Sequence, residues 1–258
     1  MDLLNHKVVR KSEQAGWIVF IHGAGGSLKT WSYQESVLSD YYNLLLIDLR
    51  DHGDSKNIQP EYEAYEFSII SADIKAVIDH VGITSAHFIT LSFGSVLLQD
   101  FSRRYPHYIN KVVIAGGIFK GNIFIRTFVH AARFFNLFLS YTTMYRLFSY
   151  LLMPKKRNQK ARRLYQFQAR KLTQKEYMKW VGLYGEFFTL LEAFYYQVLE
   201  NKALVVMGSD DYVFLNAAFS FTKRQTDTQL IVIKDVGHIC NIEAPQKFNK
   251  EVVDFLND

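Results

Sequence analysis

The chain has 258 residues, 49% of them hydrophobic and 21% charged. That suits one globular α/β domain with an insertion better than two full domains or a disordered chain. The net charge is +5, and the single cysteine, Cys240, excludes an internal disulfide framework and fits a reducing, cytoplasmic compartment.

Residues 3–9 can form a short edge strand, and 12–16 a turn. Trp17 to Ile21 is a continuous apolar run, the pattern of a strand buried on both faces of a parallel sheet. It is too short for the apolar region of a secretory leader. It ends in His22-Gly23-Ala24-Gly25-Gly26-Ser27, where glycines allow a tight turn with N–H groups facing inward. Leu44 to Ile47 is the next strand and runs into the polar turn Asp48 to Ser55. Phe67 to Val81 has helical spacing, stopped by Gly82.

His87 to Thr90 is strand-like and ends at Leu91-Ser92-Phe93-Gly94, followed by an apolar-periodic helix. Pro106 closes that helix by biasing Tyr105 away from helical backbone. Lys111 to Ala115 is another buried strand. Strands alternating with helices imply a parallel, doubly wound sheet.

From about Phe119 to Tyr196 the alternation stops. Ile125, Phe128, Val129 and Ala132 sit at helical spacing, as do Met144, Leu147, Phe148 and Leu151. Residues 119–199 therefore read as an all-helical cap inserted into an α/β core made of residues 1–118 and 200–258. Alternation resumes with the strand Ala203 to Met207, which ends in Gly208-Ser209-Asp210-Asp211, and Phe214 to Thr222 reads as helix. Gln229 to Ile233 is the last strand, ending in Asp235-Val236-Gly237-His238. Pro245 opens a terminal helix.

In an open parallel sheet, functional groups gather at the C-terminal ends of the strands. Here those ends carry Ser92, Asp211 and His238, each after a different strand and in the order Ser…Asp…His. Five motifs then carry a resemblance. His22-Gly23-Ala24-Gly25 resembles an H-G-x-G oxyanion loop, and Asp48 to Ser55 a D-x-R-G-x-G-x-S turn with Asp51 in place of a glycine. Gly208 to Asp211 resembles a G-x-x-D acid loop. Gly237-His238 with Glu243 and Pro245 resembles G-H-x-x-x-x-E-x-P. Thr90-Leu91-Ser92-Phe93-Gly94 resembles the G-x-S-x-G nucleophile elbow, with Thr90 replacing the first glycine. From about residue 16 to its end the chain resembles an α/β-hydrolase with a helical cap, of the carboxylesterase and lipase-like serine hydrolases.

The resemblance implies roles that the chemistry supports. Ser92 needs a base to become a nucleophile, and His238 can take and return its proton. Asp211 would orient and stabilise the imidazole; its neighbour Asp210 competes for that role, and spacing from Gly208 favours Asp211. Backbone N–H groups of Ala24 and Phe93 are the expected oxyanion donors. His22 is expected to organise its loop, and Asp48, Arg50 and His52 their turn. Cys240 reads as a small buried hydrophobe. His6, His80, His87, His107 and His130 show no ligand spacing, so no metal and no cofactor is implied.

Charge is uneven. Between Asp100 and Glu176 there is no Asp or Glu, but there are sixteen Lys and Arg residues. No acid can therefore come from the end of the strand closing at Ala115. The basic stretch fits a solvated face. It is also interleaved with Phe134, Phe135, Phe138, Tyr141, Tyr145, Phe148 and Tyr150, which fits peripheral contact with an anionic membrane. No nucleic-acid motif is present, and Arg146 argues against a transmembrane span.

The expected function is hydrolysis of a small hydrophobic carboxylic ester through an acyl-enzyme. Thioesterase, amidase and C–C bond hydrolase remain open on the same residues. So does a non-catalytic small-molecule-binding protein. The serine argues against relatives that use aspartate at this point of the elbow, the haloalkane dehalogenases and epoxide hydrolases.

Overall fold

A computed structural model describes residues 2–121, 125–127, 130, 134–135 and 138–258. The expected helical spacing at Phe128, Val129 and Ala132 lies outside the described residues.

The apolar runs become the strands of one sheet: β1 (His6–Val9), β2 (Trp17–Ile21), β3 (Asn43–Ile47), β4 (Ala86–Leu91), β5 (Ile109–Ala115), β6 (Ala203–Gly208) and β7 (Thr228–Ile233). Their spatial order is β1-β3-β2-β4-β5-β6-β7. β1 pairs antiparallel with β3, and every other pair is parallel. Every residue of β3 and of β6 is buried, so both faces of the central sheet are covered. β1 and β7 are edges and remain partly exposed.

Helices α1 (Ser32–Leu38), α2 (Phe67–Val81) and α3 (Phe93–Arg104) connect the first strands. Between β5 and β6 come α4 (Tyr141–Leu152), α5 (Gln159–Ala169), α6 (Gln174–Gly182) and α7 (Tyr184–Tyr196). Then come α8 (Leu215–Thr222), the short α9 (Cys240–Glu243) and α10 (Pro245–Asn257). α2 packs on α3, and α1 on α10. Ile70, Ile74, Val77 and Ile78 supply the buried stripe of α2, each such side chain contributing about 1.5–3 kcal/mol when fully buried.

Local sequence sets several boundaries. α3 stops at Arg104, before Tyr105-Pro106. α6 begins at a capping box: Glu176 N–H donates to Thr173 Oγ1 (3.2 Å), and Thr173 N–H to Glu176 Oε2 (2.6 Å). β1 is shorter than residues 3–9, because its pairing with β3 covers only His6–Val9.

Met144, Leu147, Phe148 and Leu151 lie on one helix, α4, as their spacing predicts, but they do not share its buried side. The helix buries Met144, Tyr145, Ser149 and Leu152, leaving Leu147 and Leu151 exposed. The rotation follows from two attachments. Tyr145 joins a packed group with Tyr165 and Tyr177, at centroid separations of 5.5 and 5.6 Å. Ser149 Oγ accepts from Gln166 Nε2 of α5 (2.6 Å).

Candidate active site

Ser92 sits between β4 and α3 with φ 53° and ψ −120°. That left-handed backbone is strained for a serine, by about 1–3 kcal/mol, and the surroundings hold it. Ser92 N–H donates to Ala115 O of β5 (2.9 Å). Ser95 Oγ donates to Ser92 O (2.7 Å) and accepts from Ile118 N–H (3.1 Å). Thr90 does not disturb the elbow: it is fully buried in β4, its hydroxyl facing Val113 O at 3.4 Å.

Two glycines permit this packing. A Cβ on Gly94 would lie 2.6 Å from Ile21 O and 2.8 Å from His22 O, so the first turn of α3 meets β2 only without a side chain. A Cβ on Gly23 would lie 3.1 Å from Ser92 Cβ and from Leu91 O, so the glycine loop lies directly against the elbow.

His238 and Asp211 arrive from the ends of β7 and β6. Ser92 Oγ is 2.7 Å from His238 Nε2, and His238 Nδ1 is 2.7 Å from Asp211 Oδ2. A carboxylate only accepts, so Nδ1 carries the ring proton and Nε2 is free to accept from the Ser92 hydroxyl. Asp211 is further tied by Phe214 N–H to its Oδ1 (3.2 Å), and the Phe214 ring lies 5.2 Å from the imidazole. His238 and Asp211 are buried. Asp210 points elsewhere, to Arg157 and to the Tyr212 hydroxyl. The Arg157 guanidinium holds its carboxyl below the usual range.

Ala24 lies in the glycine loop and Phe93 opens α3. Among the described residues, neither backbone N–H donates within the protein, and α3 directs the positive end of its dipole at the same place. The loop is braced from behind by the 48–55 turn. His22 Nε2 accepts from Leu49 N–H (3.0 Å), and its Nδ1 donates to Gly23 O (2.8 Å). His52 Nε2 accepts from Gly25 N–H (3.0 Å), and its Nδ1 donates to Arg50 O (2.9 Å). Both rings are therefore neutral. Burial pushes His22 down to about 3, helped by His52, and His52 down to about 4. Asp48 accepts from Asn5 Nδ2 and from the N–H groups of Leu28 and Asp54. Asp51 takes a left-handed φ of 65°, and its carboxylate accepts from the Tyr65 hydroxyl (2.6 Å). Cys240 is fully buried beside β6, and burial pushes its thiol up to about 12.

Some residues at this site carry no advance signal in the sequence. Arg157 grips Asp210 and also Asp235 Oδ1 (2.7 Å), bridging the two loops that deliver Asp211 and His238. Next to it, Asn158 Nδ2 donates to Glu243 Oε2 (2.6 Å), which also accepts from Gly237 N–H (3.1 Å). Lys56 joins the 48–55 turn to Glu176 of α6 (3.0 Å). Pro154 marks a break near Arg157, but nothing in the spacing says what that break touches.

Above Ser92 is a cavity of about 320 Å³. Its floor is the glycine loop, Ser92, Phe93 and His238; its walls include Met144, Phe148, Leu164, Tyr165 and Phe187. The lining is largely apolar and aromatic. Burial pushes the Tyr145, Tyr165 and Tyr184 hydroxyls up, so they stay neutral donors and acceptors. Among the described residues no cluster of three or more His, Cys, Asp or Glu side chains could hold a metal ion.

Comparison with known proteins bears on the fold and the family. 3-Oxoadipate enol-lactonase 2 of Acinetobacter baylyi is 28% identical over 99 residues, 38% of this chain and 36% of that protein. The chain spans about a third of the length of the curated relatives it matches most strongly. The enol-lactonase structure from Burkholderia xenovorans LB400 superposes with a TM-score of 0.79 at 20% identity, covering 99% of this chain and 96% of that one. An esterase from Exiguobacterium antarcticum gives 0.80 at 14% identity, covering 99% and 96%. At such identities the structural likeness speaks for the fold. The sequence model of the alpha/beta hydrolase fold matches residues 16–245, and the chain belongs to that family.

Proposed function

We propose that this hydrolase cleaves a carboxylic ester with an apolar acyl group through an acyl-enzyme, with Ser92 as nucleophile, His238 as general base and acid, and Asp211 as the residue that orients and stabilises His238. The observation that carries this reading is the unbroken hydrogen-bonded chain Ser92–His238–Asp211 at the floor of an apolar cavity. His238 Nε2 takes the serine proton as Oγ attacks the carbonyl carbon, then returns it to the leaving alkoxide. Water, deprotonated by the same nitrogen, attacks the acyl-enzyme and releases the acid. The developing oxyanion is held by the Ala24 and Phe93 N–H groups, each worth about 3–4 kcal/mol in comparable sites. Residues 119–199 act as the cap whose apolar walls select the acyl group.

The enol-lactonase and esterase likenesses favour an ester-type bond, open or cyclic. The test is a p-nitrophenyl ester series of increasing acyl length, run beside thioester and anilide analogues. Preference for a medium or long acyl ester over acetate, lost in Ser92→Ala, supports the reading. Turnover of only the amide or thioester would replace it. An intact chain that neither turns over any ester nor reacts with a fluorophosphonate would make the protein a binding module.

A further inference from the structure

We infer that the α4–α5 hairpin is a docking surface for an anionic lipid bilayer. The two helices pack side by side, linked by Gln166 to Ser149 and by the Arg162 guanidinium 4.2 Å from the Tyr150 ring centre. Their outward faces are not the polar faces of ordinary surface helices. On α4 that face carries Leu147, Tyr150 and Leu151, and on α5 Leu164 and Phe167, with exposures of 50%, 53%, 41%, 38% and 59%. Just before α4, Phe134, Phe135 and Phe138 are exposed and gather on one another, with centroids 5.6 and 5.7 Å apart. Scattered exposed apolar residues need no explanation, but a concentration of eight in 34 residues of chain does.

The charge around this surface selects the occupant. Arg146, Lys160, Arg163, Arg170 and Lys171 stand exposed among these residues, and from residue 101 to 175 the chain has no carboxylate. Glu176, the first acid after that, is engaged by Lys56. Rings and aliphatic side chains that enter the headgroup layer, flanked by cations alone, complement an anionic bilayer. A protein partner would need its own carboxylates set against these cations, and a nucleic acid would leave the aliphatic side chains unused. No described helix is long and apolar enough to cross a membrane, so contact of this kind is peripheral.

The placement also has a consequence for entry. Leu164 is both exposed and part of the cavity wall, and Phe148 lines the cavity from α4, so the docking face borders the cavity wall. An opening beside Leu164 would let an acyl chain pass from the lipid layer to Ser92 without crossing bulk water. That consequence rests on the proposed hydrolase reading; the docking does not.

The experiment is sedimentation of the full chain with sucrose-loaded vesicles of phosphatidylcholine alone or mixed with phosphatidylserine, across a salt series. Binding is expected to require phosphatidylserine and to weaken as salt rises. Lys160→Glu and Arg163→Glu should each lower it about fivefold or more. The double variant Leu147→Glu/Leu151→Glu should lower it about tenfold or more with an unchanged circular dichroism spectrum. Neither leucine lines the cavity, so turnover of a soluble short-chain ester should also stay at wild-type level. Equal binding to both vesicle types, absence of binding, or wild-type binding by the double variant would overturn the inference. Vesicle binding by a protein that hydrolyses nothing would leave the docking standing and remove only the hydrolase reading.

Discussion

Arg157 and Asp210 form a two-pronged ion pair, with Nε 2.7 Å from Oδ2 and Nη2 2.9 Å from Oδ1, one residue before the carboxylate that holds His238. The same guanidinium reaches Asp235, so a residue between α4 and α5 fastens two loops of the sheet. The Arg157 side chain is half exposed, and its contribution to global stability is correspondingly small. Its effect should be on placement. Arg157→Ala is expected to lower kcat on the order of tenfold with little change in KM or melting temperature, and Arg157→Lys to recover part of that loss. Steady-state kinetics beside a thermal melt checks this; a loss in KM alone would mean that Arg157 acts on binding.

The two adjacent aspartates should separate sharply. In Asp211→Asn the Phe214 N–H keeps the amide oxygen and turns the amide NH2 toward His238 Nδ1, which favours the wrong ring tautomer and is expected to cut kcat about 10⁴-fold. Asp210→Asn weakens the contacts with Arg157 and Tyr212 but leaves Asp211 in place, and should resemble Arg157→Ala. Ser92→Ala should remove fluorophosphonate labelling, while both aspartate variants keep a serine that can be labelled slowly. Equal damage from the two aspartate variants would mean that the acid is not assigned by the hydrogen bond seen here.

The neutral pair His22 and His52 makes the glycine loop sensitive to acid. Their folded values lie near 3 and 4, below the 6.5 of an unfolded histidine. Between those limits the unfolded chain binds more protons, so stability is full above about pH 6.5 and falls as pH drops toward 4. Each ring contributes at most about 1.4 kcal/mol per pH unit in that window. Protonated His52 could no longer accept from Gly25 N–H. Urea melts at pH 7 and pH 5 should show this slope, and His52→Gln, which keeps an acceptor and cannot titrate, should flatten it. An unchanged slope would place the acid sensitivity elsewhere.

Arg50 and Asp73 are paired in the interior through two bonds of 2.6 and 2.7 Å, and Arg50 Nη1 donates to Ile58 O and Pro60 O. Removing one partner strands a buried charge. Asp73→Ala or Arg50→Ala is expected to cost about 3–5 kcal/mol, while replacing both together should cost less than the two single losses summed. A denaturant double-mutant cycle measures the coupling.

Ser92, Asp211 and His238 are legible in the sequence for a local reason. Each follows an apolar run that can only be a buried parallel strand, and such strands end at a common edge. The glycine loop is legible because glycine is needed where backbone must approach backbone, as Gly23 approaches Leu91 and Ser92. Even the substitution at Thr90 is harmless for a local reason, since its side chain fits a strand interior.

Other features required the fold. Arg157 and Asp210 are 53 positions apart, and no periodicity links a turn between two helices to a loop after a strand. His52 braces Gly25 across 27 positions, which the sequence does not announce. Leu147 and Leu151 show the limit most clearly. Hydrophobic spacing reports that a helix has an apolar face, not whether that face meets a core, a cavity or water. On α4 the choice was made by Tyr145 and Ser149, whose partners on α5 and α6 turn the helix and leave the two leucines outside. Local sequence thus determined which residues end the strands and what chemistry they carry. Which side chains brace that chemistry, and which apolar residues stay exposed, depended on contacts between distant segments that only chain packing creates.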